Sequence, residues 1–354
     1  MSNSKWSNVR IGSVRLENPV FLAPMEAVNC TAFRLMCKRY GAGLVYSPMI
    51  DVERFCAELE EKDIIEHSHF VDFIEEERPL AIQIGGAKPD NYAVATRSLE
   101  QYADIVDINL GCPLSDMLGK KGGAWLAKHT NMMEKVVNAV LENTSKPVTA
   151  KIRIGWDDSS INAVEVAKIL ENIGVAAIAV HGRTCKQHYT KKANWDIIRK
   201  VHDGVEIPVI GNGDIFLPGH AKYVLERNMC DAVMLARGAK GNPYIFKRVT
   251  ALLKTGKNIP EPTILEQMRI IFELVETYTD VQKRQTFNEV RDHVMWMVAG
   301  TPFASKLRHD LLKAADLNTL IKVVRQYYSH AKYSKPEDEY QLTARLARNE
   351  TSSG

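Results

Sequence analysis

Eight short, almost uninterrupted apolar runs punctuate the first two-thirds of this chain, at residues 19–23, 44–46, 80–84, 105–109, 148–152, 176–181, 208–211 and 231–236. A strand with one wet face alternates apolar with polar, whereas a parallel strand covered by helices on both faces stays apolar throughout. Amphipathic segments such as 131–143, 162–172 and 218–227 fill the gaps between the runs. A strand-plus-helix unit repeated eight times within residues 1–245 has the count and length of an α/β fold of the (β/α)8 TIM-barrel kind. A doubly wound sheet is the runner-up; it needs fewer strands, and no G-x-G-x-x-G follows the first run.

After Asn242-Pro243 the alternation stops. Residues 264–281, 286–299 and 302–328 carry helical periodicity without an intervening strand run, which predicts a small C-terminal helical bundle. The reading is therefore a barrel over 1–245, a helical domain over 246–330 and a polar, disordered tail over 331–354.

Composition narrows the classes. No run approaches the roughly 20 apolar residues a membrane helix needs, and Met1-Ser-Asn-Ser-Lys-Trp lacks a signal-peptide core. The six cysteines (30, 37, 56, 112, 185 and 230) are scattered without a C-x-x-C pair, as expected of a cytoplasmic protein. Net charge is only +3, but residues 244–330 hold 13 Lys/Arg against 9 Asp/Glu. That excess fits a polyanionic partner or a solvated helix face.

In a barrel the chemistry collects at the C-terminal strand ends. Those positions offer Pro24 and Met25, Ser47, Gln83, Asn109 with Cys112, Lys151 with Arg153, His181 with Arg183, Asn212-Gly213-Asp214, and Ala236-Arg237-Gly238. The last two turns follow strands seven and eight, the usual phosphate site of the fold, where glycines admit close backbone approach and Arg237 could hold a phosphate bidentately. Two ordinary glycine turns would read the same. Gln83 and Lys151 are placed to face a ring in the barrel mouth, or to form a structural ion pair. His181 is either a donor to a ligand or a packed core histidine. Cys112, fixed between Gly and Pro, is either a thiol aimed at a ligand or a small buried apolar group. His181, Cys185 and His188 complete no tetrahedral set, so no metal is expected.

Taken together, the segments 23–26 (APME), 81–84 (AIQI), 107–113 (DINLGCP), 151–156 (KIRIGW), 180–184 (VHGRT), 211–215 (GNGDI) and 236–243 closely resemble the tRNA-dihydrouridine synthase family, in order, across residues 9–328. The resemblance implies an FMN-bearing barrel followed by a tRNA-binding helical domain. It implies that Pro24, Met25 and Glu26 line the flavin through their backbone and that Gln83 reads its edge. Lys151 and His181 would approach its pyrimidine end; Asn212, Gly213, Asp214, Ala236 and Arg237 would hold its phosphate. Cys112 corresponds to the family's proton donor, opposite a hydride delivered from flavin N5 to C6 of uracil. Asn109 and Arg183 resemble uracil contacts, and NADPH (or NADH) would re-reduce the flavin. Where this family commonly reads P-M-A-G-V-T-D, the chain has Pro24-Met-Glu-Ala-Val-Asn-Cys30, which puts side-chain contacts from that loop in doubt.

Among the C-terminal helices Arg291, His293, Lys306 and Arg308 are candidates for tRNA phosphates, and no membrane or obligatory protein partner is implied. The glycines of Gly119-Lys-Lys-Gly-Gly-Ala124 read as a mobile flap. Two rivals remain at this stage. One is an FMN barrel dehydrogenase acting on free pyrimidines, which resembles dihydroorotate or dihydropyrimidine dehydrogenases. The other is a non-catalytic tRNA-binding protein.

Overall fold

The structure, a computed structural model, describes residues 9–62, 70–281, 287–299, 301 and 304–333. The chain divides into two compact units, one holding residues 1–239 and 244–259, the other 240–243 and 260–354.

The first unit begins with an antiparallel hairpin, β1 (Val9–Ile11) and β2 (Val14–Leu16). Then come β3 (Val20–Leu22), β4 (Val45–Tyr46), β5 (Ile50–Asp51), β6 (Leu80–Gly85), β7 (Ile105–Leu110), β8 (Val148–Arg153), β9 (Ala177–His181), β10 (Val209–Asn212) and β11 (Ala232–Leu235). Eight of these run parallel in the order β3-β11-β10-β9-β8-β7-β6-β4, with β5 paired to β6. The ring closes where Leu22 N–H donates to Leu44 O at 2.9 Å and Phe21 bridges Leu44 in parallel. All eight apolar runs are strands of this (β/α)8 barrel.

Eight helices alternate with the strands, from Thr31–Arg39 to Ile245–Thr255. The eighth shifts the barrel's end. The sequence reading stopped it at 245, but Ile245–Thr255 buries Ile245, Phe246 and Val249 and packs on β3 and on the helix Pro218–Glu226. The unit therefore continues to Ile259.

Alternate residues of each strand face the barrel axis. Toward the N-terminal ends these are Phe21, Leu44, Ala81, Ile105, Ala177, Ile210 and Ala232, and Ile11 and Leu16 of the hairpin join the same cluster. Mixed small and large side chains let the layers interdigitate. Toward the C-terminal ends the same parity turns polar: Gln83, Asp107, Asn109, Thr149, Lys151, Arg153, His181 and Asn212. One end of the cylinder is thus a packed core and the other a polar mouth.

The second unit contains the helices Ile264–Asp280, Phe287–Met297, Ala304–Leu312 and Leu317–Tyr333. Thr263 and Glu266 form a capping box at the start of the first. Met268, Ile271, Leu274, Val290, Val294, Leu307, Leu311, Leu320 and Val324 make its core. The single helical segment expected over 302–328 is split, because Asp316 Oδ1 accepts the Thr319 N–H at 2.7 Å and caps a new helix. Beyond Tyr333 the polar tail lies outside the described residues, as do Pro302 and Phe303. Among the described residues no helix is long and apolar enough to cross a membrane.

Candidate active site

Cys112 sits half-buried in the loop that follows β7, at the polar mouth. Asn109, the last inward residue of β7, folds its side chain over that turn: its Oδ1 accepts the N–H groups of Cys112 at 2.8 Å and Gly111 at 3.1 Å. Burial raises the thiol's pKa, and Glu26 adds to this while Arg153 and Lys151 oppose it. The thiol is therefore protonated at neutral pH, as a proton donor requires and a nucleophile does not.

A buried polar chain underlies it. Gln83 Nε2 donates to Asp107 Oδ2 at 2.7 Å, Thr149 Oγ1 to Asp107 Oδ1 at 2.6 Å, and Asn109 Nδ2 to Gln83 Oε1 at 2.8 Å. Asp107 is fully buried, and burial pushes its carboxyl up to about 6. Sequence reading passed over Asp107 and Thr149, and placed Arg153 at a strand end without giving it a role. Their signal was strand parity, since each shares the inward face with Asn109, Lys151 or His181.

Lys151, half-buried, donates from Nζ to Asn212 Oδ1 at 3.2 Å. Burial pushes its amine down to about 8, Arg153 adding to that shift. Asn212 in turn donates to Met234 O at 2.8 Å, so its side chain ties β10 to β11. His181 is 7% exposed, and burial together with Lys151, Arg153, Arg183 and Arg237 holds its imidazole well below the usual range. It is neutral at physiological pH.

The two glycine turns lie against each other: a Cβ on Gly238 would stand 2.2 Å from Ile215 O. Gly213 adopts φ +131°, open to glycine and strained for other residues. Asp214 does not point its carboxylate outward. It accepts both Nη2 contacts of Arg183 (2.8 and 2.7 Å), the Ala193 N–H at 2.7 Å and Arg237 Nη2 at 2.9 Å. Arg237 remains partly exposed, with its guanidinium over Tyr189 and Phe216. Arg183, expected at uracil, is buried and bound to Asp214 and Lys191 O.

In the first loop, Pro24 and Met25 are half-buried and Glu26 is exposed, its carboxyl raised by partial burial against the opposing pull of Arg54. Met25 O already accepts from Val28 and Asn29 N–H within its own turn. Asn29 pins that loop by donating to Ala23 O and Tyr46 O, each at 2.8 Å.

Of the segment read as a flap, residues 122–124 are buried while 119–121 are exposed. A Cβ on Gly122 would meet Gly86 O at 2.3 Å, and one on Gly123 would meet Cys112 O at 2.7 Å. Lys120 pairs with Asp51, and Lys121 lies over Trp125. Gly122 and Gly123 thus serve close approach, whereas a Cβ on Gly119 would meet nothing. In the second unit Lys306 and Arg308 are exposed on Ala304–Leu312. His293, a candidate phosphate contact, is instead buried edge-on to Trp296.

The chain has relatives among known proteins. The profile of the family described as Dihydrouridine synthase (Dus) matches residues 21–332. The chain belongs to the dihydrouridine synthase family. A tRNA-dihydrouridine synthase B of Pseudomonas aeruginosa is 36% identical over 327 residues, 91% of this chain and 96% of that one. A probable tRNA-dihydrouridine synthase of Rickettsia prowazekii is 35% identical over 325 residues, covering 90% and 97%. Among solved structures, the old yellow enzyme homologue of Zymomonas mobilis aligns with TM-score 0.51 at 13% identity, over 81% of this chain and 98% of that one. The 6-hydroxypseudooxynicotine amine oxidase of Pseudomonas geniculata N1 gives 0.56 at 14%, over 77% and 52%. These likenesses are of fold. As a dihydrouridine synthase the protein is a flavin-dependent oxidoreductase, the enzyme class the resemblance implied.

Proposed function

We infer that the protein reduces the C5=C6 bond of specific uridines in tRNA, with FMN as cofactor and NADPH as reductant. The observation that carries the chemistry is the place of Cys112, half-buried at the strand-end mouth within reach of the charges of Lys151 and Arg153, where burial raises its thiol's pKa. The mouth's donor set suits FMN. The positive charges of Lys151, Arg153, Arg183 and Arg237 all act on His181, against two carboxylates, Asp214 bound to Arg183 and Arg237 and Asp107 acting on Lys151. Such an excess of cations favours a phosphate-bearing anion.

Pro24, Met25 and Glu26 would line the cofactor, with Gln83, Lys151 and His181 at its ring. Asn212, Gly213, Asp214, Ala236 and Arg237 would hold its phosphate, the role of Asp214 being to fix Arg237 rather than to touch the anion. FMN, when bound, would supply the hydride for reduction of the uracil, with NADPH as the source of its electrons. Cys112 Sγ–H then gives its proton to C5, and the Lys151 ammonium lowers the cost of negative charge building on the pyrimidine. A neutral His181 offers hydrogen bonds without a further charge.

A uridine inside folded tRNA must be extruded to reach this mouth, which costs a few kcal/mol that backbone contacts offset. Lys306 and Arg308 would supply such contacts, read by shape and phosphate rather than by base. Six scattered cysteines without a C-x-x-C pair suit the cytoplasm, where this reaction would take place. The test is incubation of purified protein with NADPH and unmodified tRNA, followed by nucleoside mass spectrometry. Dihydrouridine in tRNA, with no reduction of free uracil or orotate, is the expected result; reduction of the free bases alone would transfer the chain to the pyrimidine dehydrogenases.

A further inference from the structure

One peptide unit at the mouth is held from both sides. The Gly111 carbonyl accepts from Arg153 Nε at 2.9 Å, and the N–H of the same peptide, belonging to Cys112, donates to Asn109 Oδ1 at 2.8 Å. The next carbonyl, Cys112 O, accepts the Ala124 N–H at 3.1 Å. Arg153 is itself immobilised: its Nη1 donates to Thr184 O at 2.9 Å and to His188 O at 3.0 Å, so one buried guanidinium laces the loop after β7 to the loop after β9. On the other side the sense of each amide is dictated from below. Asp107, as a carboxylate, accepts only; it therefore takes Gln83 Nε2, which turns Gln83 Oε1 toward Asn109 Nδ2. That leaves Asn109 Oδ1 facing Cys112.

We propose that Arg153 is a positioning residue for Cys112, clamping the Gly111–Cys112 peptide against Asn109 so that the thiol keeps one direction at the mouth. Three of its five N–H donors are already taken by backbone carbonyls of two loops. The Asp107–Gln83–Asn109 chain is the other jaw of the clamp. The catalytic consequence rests on Cys112 being the proton donor; the clamp itself does not.

The experiment uses the purified full-length protein and two readouts. Iodoacetamide alkylation of Cys112, followed by peptide mass spectrometry across pH, reports on the thiol's exposure and titration without turnover. Steady-state kinetics report kcat and KM for tRNA. In Arg153→Lys, which keeps the charge but cannot span the carbonyls, the alkylation rate of Cys112 is expected to rise at least about threefold. kcat should fall about 10- to 100-fold, the scale of an ångström of misplacement, with KM held within about twofold. An unchanged alkylation profile would overturn the clamp, as would a raised KM with unchanged kcat, which marks a substrate contact. A faster alkylation with unchanged kcat would leave the clamp standing and remove Cys112 from catalysis. Should Arg153→Lys fail to fold by thermal melting, Asn109→Ala removes the opposite jaw at a half-buried position and is read by the same alkylation criterion.

Discussion

Lys151 shows how position converts a common residue into a sensitive one. Its amine, pushed down to about 8 by burial and by Arg153, is cationic at pH 7 and loses its proton a little above it. Affinity of the apoprotein for FMN should therefore fall as pH rises through about 8. Fluorescence titration checks this, and Lys151→Met should abolish the step; a pH profile shared by both proteins would contradict the assignment. Arg237→Ala should release flavin from the purified protein, because the remaining arginine of the pair, Arg183, is already committed to Asp214. An unchanged absorbance ratio would remove Arg237 from the phosphate site. Part of the candidate site was visible in the sequence: Cys112, Lys151 and Arg237 stand out at strand ends. Arg183 did not behave as its position suggested, because its partner Asp214 lies 31 residues away and is adjacent only once β9 and β10 pair.

At the level of the elements, the eight barrel strands were legible because burial on both faces leaves no polar position to interrupt the run. The hairpin β1–β2 was not. Its three-residue strands carry Arg10 and Arg15, paired across the ladder, and too few residues to show a period. The segment after Cys112 was legible only in part, with Gly119 in open space and Gly122 and Gly123 in close contact. Glycine permits both freedom and close contact, and only the neighbours Gly86 and Cys112 decide between them. The first helix, Thr31–Arg39, is secured by a device no local pattern displays. Arg34 is buried with Glu77, and its other donors reach Asn29 O, Thr31 Oγ1 and Asp72 O. Removing one partner of a buried pair costs about 3–5 kcal/mol, because the other charge is left uncompensated. Arg34→Leu should lose that much by urea denaturation at pH 7. Burial already holds the Glu77 carboxyl above its ordinary value. The loss should therefore shrink as pH falls and that carboxyl takes up a proton. A loss that grows on acidification would mean that Glu77 is not the group left stranded.

Across the whole molecule charge is divided unevenly: the first 243 residues are near neutral while 244–330 carry the excess of cations. Contacts to phosphate release counterions, so each lost contact flattens the dependence of log K on log salt by about 0.7–0.9. Lys306→Glu with Arg308→Glu should weaken tRNA binding and lower that slope by between one and two such steps, measured by filter binding across salt concentrations. A slope equal to that of the unaltered protein would place both residues away from RNA. The central claim is the proton given by Cys112 at the mouth of the barrel. The direct measurement is dihydrouridine yield from Cys112→Ala supplied with NADPH and unmodified tRNA, alongside its flavin content. The account predicts a yellow protein with full flavin and yield reduced at least about 100-fold, the contribution of a positioned acid. A yellow protein that still forms dihydrouridine at the unaltered rate would contradict it.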